Sequence, residues 1–394
     1  MTKIYISILF SVFISAASLR AQVQLYTDIT CGAQRMDQYL PKLKNKRVAI
    51  VTNASGVVGN RHLVDTLLKQ HVKIVKIFGP EHGFRGGSDA GVKVNSSKDS
   101  KTGLPVVSLY GNHKKPTKED LKGVDIVLYD IQDVGVRFYT YISTMSYVME
   151  ACAENHVEML ILDRPNPNGY YIDGPVMTPD YKSFLGMHPV PIVYGMTCGE
   201  YARMVNGEGW LKNGVQCQLS VITLLNYDRN SFVSGLPVKP SPNLPNDTAI
   251  LLYPSLGLFE GTIVSLGRGT DCPFQYIGSP YTDPGLSFAF TPKANAVSKK
   301  PKYMDTACYG INLKPQFTIT LRSHAINLQW LKYFYEHSSK KQDEFFDKNF
   351  NYHVGNNILK QQIIDHVSEE DIRASWKKEI DAFRAIRQKY LLYN

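Results

Sequence analysis

Five short runs of Val, Ile and Leu, at residues 48–51, 72–78, 106–109, 124–129 and 157–162, recur along the first half of this 394-residue chain. Each run is dominated by apolar residues rather than strictly alternating, which marks strands buried on both faces. Parallel neighbours need a crossover long enough to hold a helix, and helix-like stretches separate these runs. One is expected at 62–69. Another is expected at 139–155, where Ile142, Met145, Val148, Met149 and Cys152 recur at helical spacing. The fold class that follows is α/β, built on a doubly wound, mainly parallel sheet.

The same pattern extends through a helix at 197–211, where Thr197 and Glu200 have capping-box spacing, and a strand at 218–224. Residues 235–285 then change in texture. They are rich in Pro, Gly and aromatics, including Pro240-Ser241-Pro242-Asn243-Leu244-Pro245, and are expected to form ordered loops over the sheet edge. Strands at 285–291 and 316–321 follow, with helices at 325–337, 357–365 and 369–390, the last capped by Ser368. The expected division is a signal segment at 1–21, a catalytic α/β domain at 22–285 and a smaller C-terminal α+β domain at 286–394.

Lys3, an apolar run from Ile4 to Ala17 and small residues up to Ala21 have the pattern of a secretory signal peptide. The run falls short of the roughly 20 residues that a membrane span needs, so no stable membrane insertion is expected. Export to a periplasm or to the outside is. The formal charge of +9 falls by the two cations Lys3 and Arg20 on cleavage, and the remaining excess is scattered. Lys-rich pieces at 42–47 and 299–302 lack the interleaved aromatics of single-stranded nucleic-acid grooves, so no nucleic-acid partner is expected. Six cysteines at wide spacing form no zinc ribbon and no disulfide framework, although they leave room for one disulfide.

Four rim segments carry the candidate chemistry, because loops at the carboxyl ends of parallel strands are where α/β folds bind ligands. Asn53 follows the first strand. After the second come Glu81, His82 and Arg85 on a glycine-bracketed loop that lets a ligand approach backbone as well as side chains. Asp130, Asp133, Arg137, Tyr139 and Tyr141 follow the fourth, and Arg164 and Asn166 sit on a proline-stiffened loop after the fifth. A carboxyl at Asp130 would share a crevice with Glu81, whereas a cap or an ion pair is its structural alternative. Glu260 and Arg268, eight residues apart in a glycine-rich segment, either pair or meet ligand, since a lone buried charge is costly. Phosphate-loop, dinucleotide, serine-elbow and zincin motifs are absent from the sequence, and no metal site is expected.

The blocks Gly79-Pro80-Glu81-His82-Gly83-Phe84-Arg85-Gly86, Asp130-Ile131-Gln132-Asp133-Val134-Gly135-Val136-Arg137-Phe138-Tyr139-Thr140-Tyr141, Asp163-Arg164-Pro165-Asn166-Pro167 and Phe259-Glu260-Gly261-Thr262 resemble the NamZ-type (YbbC-like) exo-β-N-acetylmuramidases. The resemblance covers nearly the whole chain from about Gly32. It implies a Rossmann-like domain joined to a smaller C-terminal domain, with the active site in the crevice between them. It also implies release of N-acetylmuramic acid from the non-reducing ends of peptidoglycan fragments, without a cofactor, and Glu81 as leading catalytic residue. Glycoside cleavage needs an acid for the leaving oxygen and support for an oxocarbenium-like transition state. Glu81 would be the acid, oriented by His82, with Asp130 or the substrate's own acetamido oxygen as partner. Arg85, Arg137, Arg164 and Arg268 are candidates to read the lactyl carboxylate, Tyr139 and Tyr141 to stack on the sugar, and Asn53, Asn166 and Glu260 to bind its polar groups. The alternatives are a non-catalytic muropeptide-binding protein and a metal-dependent amidase or esterase acting on the lactyl-peptide linkage.

Overall fold

A computed structural model describes residues 23–85, 97–283 and 285–394. The expected signal segment at 1–21 and the loop glycines Gly86 and Gly87 lie outside the described residues. The chain forms a seven-stranded sheet from β1 (Val48–Thr52), β2 (Ile74–Gly79), β3 (Ser97–Lys98), β4 (Pro105–Ser108), β5 (Ile126–Asp130), β6 (Glu158–Leu162) and β7 (Leu219–Ile222). In space the order is β7-β6-β5-β1-β2-β4-β3. Every pairing is parallel except that of the short edge strand β3 with β4. The chain therefore winds outward from β1 through β2 to β4, then returns to the other side of β1 and continues through β5, β6 and β7. That reversal opens a crevice at the carboxyl ends of β1, β2 and β5, where Asn53, Gly79 and Asp130 lie.

Alternate residues of the strands enter different cores. Val48 and Ile50 of β1 pack with Tyr39, Leu43, Leu63 and Leu67 from the Met36–Leu43 and Leu63–Lys69 helices. Ala49 and Val51 pack on the opposite face with Ile142, Met145 and Met149 of the Tyr141–Glu154 helix and with Tyr201 and Val205 of the Cys198–Gly207 helix. Each fully buried aliphatic or aromatic side chain contributes about 1.5–3 kcal/mol, so a strand committed to both faces is held in register from each side. The Cys198–Gly207 helix starts at the expected capping box, in which the Thr197 hydroxyl accepts from the Glu200 amide and the Glu200 carboxylate from the Thr197 amide.

The C-terminal part is a small antiparallel sheet, ordered Tyr276–Ser279, Cys308–Asn312, Phe288–Phe290, with five helices up to Glu369–Gln388. Because it draws on Tyr276–Ser279, this sheet straddles the 285/286 division expected from sequence. The last helix begins at the Ser368 cap and buries Ile372, Trp376, Ile380 and Phe383 along one stripe. Residues 316–321, expected as a strand, instead comprise the end of the Lys314–Gln316 3-10 turn and most of the Phe317–Ser323 helix. Its alternating Phe317, Ile319 and Leu321 are no sheet face, since Ile319 is 63% exposed while Phe317 stacks edge-on against Phe232. Residues 235–285 are also not loops throughout. They hold the Asp247–Leu256 helix, whose Asn246 side chain accepts from the Ala249 amide and whose Pro254 sits near its end. All six cysteines are buried free thiols. No helix of the described residues is long and apolar enough to cross a membrane.

One core runs through both parts, joining Phe78 and Tyr129 to Phe334, Phe345 and Trp376. Arg137 crosses the same boundary. Its guanidinium is fully buried, with Nη1 donating to the carbonyls of Pro175 (2.9 Å) and Val190 (2.8 Å) and Nη2 to those of His353 (2.9 Å) and Val354. Four carbonyls from two distant segments are thus satisfied by one side chain. Arg137→Met removes this donor from the Pro175, His353 and Val354 carbonyls, while Val190 keeps the Met177 amide at 3.1 Å, and we expect a loss of about 2–4 kcal/mol in urea unfolding, with loosening of the 350–355 segment in hydrogen exchange. A change below about 0.5 kcal/mol would remove Arg137 from this structural role.

Candidate active site

β2 ends at Gly79, and the next residues turn sharply, the Gly83 amide donating to the Pro80 carbonyl at 3.0 Å. His82 takes φ +69° and Gly83 φ +76°. Only the histidine is strained there, because a Cβ in the left-handed region costs roughly 1–2 kcal/mol. Two anchors hold the turn. Phe84 is buried edge-on to His62 at 4.8 Å. Arg85 reaches Asp99 through Nε (2.8 Å) and Nη2 (2.9 Å) and Asp65 through Nη2 (3.0 Å). Its hydrogen bonds and charge hold the Asp99 carboxyl well below the usual carboxylate range.

Glu81 and His82 face a cavity of about 250 Å³. Tyr110, just beyond the end of β4, hydrogen-bonds the Glu81 carboxylate; burial first, and then the Glu81 charge and this bond, push its phenol up. Tyr139 and Tyr141 form a second wall, ring to ring at 4.9 Å, with the Tyr139 hydroxyl fixed on the Pro240 carbonyl at 2.6 Å. Tyr253 and Phe274 continue it, and Phe138 and His353 close another side, their rings 5.7 Å apart. Glu260 and Arg268 both line the cavity and also pair, Nη2 to Oε1 at 2.6 Å. Burial alone would raise the Glu260 carboxyl, but Arg268, His353 and Lys302 bring it below its ordinary value, so it is ionised. The cavity therefore holds two acidic side chains, Glu81 and Glu260, and one guanidinium, that of Arg268.

Of the residues singled out from sequence, Glu81, His82, Tyr139, Tyr141, Glu260 and Arg268 share this cavity. Asn53 and Arg85 line a neighbouring cavity of about 250 Å³, which shares His82, Tyr141 and Ser241 with the first. Four residues take supporting positions instead. Asp130 has no exposed surface and is held by Arg164 through Nε–Oδ1 (2.6 Å) and Nη2–Oδ2 (3.0 Å). Arg164 is equally committed, to Asp130, Tyr26 and the Val57 carbonyl. Arg137 serves backbone carbonyls, and Asn166 donates to the Met196 carbonyl at 2.8 Å while accepting from the Asn168 amide. Asn166 also fills the space beside Gly135, where a Cβ would lie 2.2 Å from its Oδ1 and φ is +76°. Sequence reasoning passed over Tyr110, Phe138, Tyr253, Phe274 and His353. Tyr110 carried a usable signal, since it follows a strand end, whereas nothing local marks His353. Among the described residues, no group of three His, Cys, Asp or Glu side chains could hold a metal ion.

Beneath the rim, burial lifts Asp133 and Asp163 to about 6, against opposing hydrogen bonds from Tyr194 and Gly135 to the first and from Thr197, Tyr393 and Gly199 to the second. Raised carboxyls bind protons more tightly in the folded state, so this burial penalty is complete above pH 6 and is relieved as pH falls toward 4. Stability is accordingly expected to rise between pH 7 and pH 5. In Asp133→Asn the rise should shrink by about 1 kcal/mol or more in urea midpoints, and an unchanged slope would contradict this assignment.

Comparison with known proteins places these features in company. A family model described as exo-beta-N-acetylmuramidase NamZ, N-terminal, matches residues 48–248, and its C-terminal counterpart matches residues 251–393. The chain is 38% identical over 380 residues to the peptidoglycan beta-N-acetylmuramidase NamZ of Bacillus subtilis (strain 168), covering 91% of this chain and 89% of that protein. Two crystal structures of DUF1343 family proteins from Bacteroides fragilis superpose on it. One has a TM-score of 0.86 and 45% identity, the other 0.76 and 30%, and each covers 93% of this chain and 99% of its own.

Proposed function

This chain belongs to the exo-β-N-acetylmuramidase NamZ family, and from that membership and its cavity we propose how it acts on peptidoglycan. It is a glycosidase that releases N-acetylmuramic acid from the non-reducing ends of peptidoglycan fragments. The observation that carries the assignment to this site is the 250 Å³ cavity with Glu81, Glu260 and Arg268 on its wall. Its volume lies below the roughly 300–1,000 Å³ of sites for larger ligands, which suits one terminal hexosamine rather than a glycan strand passing through.

In our reading Glu81 protonates the glycosidic oxygen as the bond to the leaving sugar breaks, with Tyr110 holding its carboxyl in one orientation. Asp130 is spent on Arg164, so the negative charge that supports an oxocarbenium-like transition state comes from Glu260 instead. Arg268 is the cation that faces the lactyl carboxylate, the group by which muramic acid differs from glucosamine. Tyr139 and Tyr141 give the sugar an aromatic wall. MurNAc-GlcNAc and muropeptides are the substrates we assign, without a cofactor. The signal pattern at 1–21 leads us to propose export, to a periplasm or the outside.

The test is incubation of the purified protein and its Glu81→Gln variant with MurNAc-β-1,4-GlcNAc, with products read by mass spectrometry. The wild type should yield free N-acetylmuramic acid, and the variant should lose roughly 10²–10⁴-fold in kcat at similar KM. Near-wild-type turnover by the variant would remove Glu81 from the chemistry, and release of peptide from a muropeptide would favour an amidase. Arg268→Met should lower the preference for a muramic over a glucosaminic nitrophenyl glycoside by roughly 10–100-fold. An unchanged preference would assign lactyl recognition elsewhere.

A further inference from the structure

A second cavity, of about 310 Å³, lies where the loop after β6 meets the end of the Glu369–Gln388 helix, and it shares no lining residue with the first. Its wall carries three guanidinium groups, Arg229, Arg384 and Arg387. Arg229 is matched by the buried carboxylate of Glu200. Neither Arg387 nor the exposed Arg384 one helical turn before it makes an ion pair at contact distance among the described residues, although the charge of Glu200 reaches Arg387 and Asp381 lies within the field of Arg384. The arrangement is more crowded than this count suggests. Arg229 Nη1 (3.0 Å), Arg387 Nε (3.0 Å) and Arg387 Nη2 (2.5 Å) all donate to one acceptor, the Gly195 carbonyl. Three donors from two guanidiniums converge on one neutral oxygen with a single carboxylate, Glu200, beside them, and burial followed by the repulsion of Arg229 outweighs that carboxylate and lowers the Arg387 guanidinium to about 10. Facing the arginines are the half-buried rings of Tyr170 and Tyr171, 4.9 Å apart, with His324 edge-on to Tyr170 at 5.0 Å.

We infer that this cavity binds a small acidic sugar, its carboxylate or phosphate between Arg229, Arg384 and Arg387 and its ring against Tyr170 and Tyr171. Guanidinium groups match the geometry of both anions, and the supply of both a cationic and an aromatic wall distinguishes the cavity from a general basic surface. The ligand adds negative charge where Arg229 and Arg387 share the one carboxylate of Glu200. Its binding is separate from hydrolysis, so it stands whether or not the reaction assigned above is correct.

Titration calorimetry on the Arg268→Met protein, in which the first cavity has lost its cation, tests this with three probes: N-acetylmuramic acid, N-acetylglucosamine 6-phosphate and neutral N-acetylglucosamine. At least one acidic sugar should bind, and Arg384→Glu and Asn230→Asp, both changes at exposed positions of this cavity, should each weaken it by about 10-fold or more. Binding of the muramic acid alone identifies a carboxylate ligand, and binding of the phosphate alone a phosphorylated one. Equal binding of the neutral sugar, or acidic-sugar binding that neither variant weakens while both melt like the parent, would overturn the proposal.

Discussion

Asp130 and Arg164 are opposite charges with almost no contact with water, placed where the central strands of the sheet end. Breaking such a pair by removing one member costs roughly 3–5 kcal/mol, because the other is left buried without compensation. The bond also spans the topology. Asp130 closes β5, Arg164 opens the loop after β6, and the remaining donors of Arg164 reach the Val57 carbonyl beyond β1 and the Tyr26 hydroxyl from the start of the described chain. Three rim loops and the N-terminal segment are thereby referred to one point. The position of Glu81, on the neighbouring loop after β2, is set against a rim that cannot drift.

Above that support the cavity keeps its charges graded. Glu260 is tied to Arg268 and ionised, while the Tyr110 phenol hydrogen-bonds Glu81. Arg268, paired with Glu260 at 2.6 Å, balances that charge within the cavity. The aromatic walls limit the water that would weaken these interactions.

The parallel sheet was legible in the sequence because doubly buried strands leave runs dominated by Val, Ile and Leu, and the rim loops followed from the strand ends. What local patterning does not disclose is which rim side chains point into the crevice. Asp130, Arg137 and Arg164 have the chemistry of ligand-binding residues, yet the same chemistry suits buried supports, and only the path of neighbouring loops decides. Residues 316–321 alternate like a strand, but their helix forms because packing of Phe317 on Phe232 outweighs a weak propensity. The Asp247–Leu256 helix was hidden by the prolines before it and by Pro254 within it, although Asn246 is a good cap. His353 reaches the site from a segment whose sequence gives no hint of it.

The walls of the first cavity are gathered from Glu81 through Tyr141 and Glu260 to His353, and Arg137 locks the backbone of that last segment to the sheet. No shorter stretch of the chain encloses the same space. A nascent polypeptide still threading through a ribosomal tunnel has neither its Glu260–Arg268 pair nor its His353 in place, so the pocket is incomplete. The pocket is thus a property of the whole folded chain, completed only when its last-made wall segment has docked.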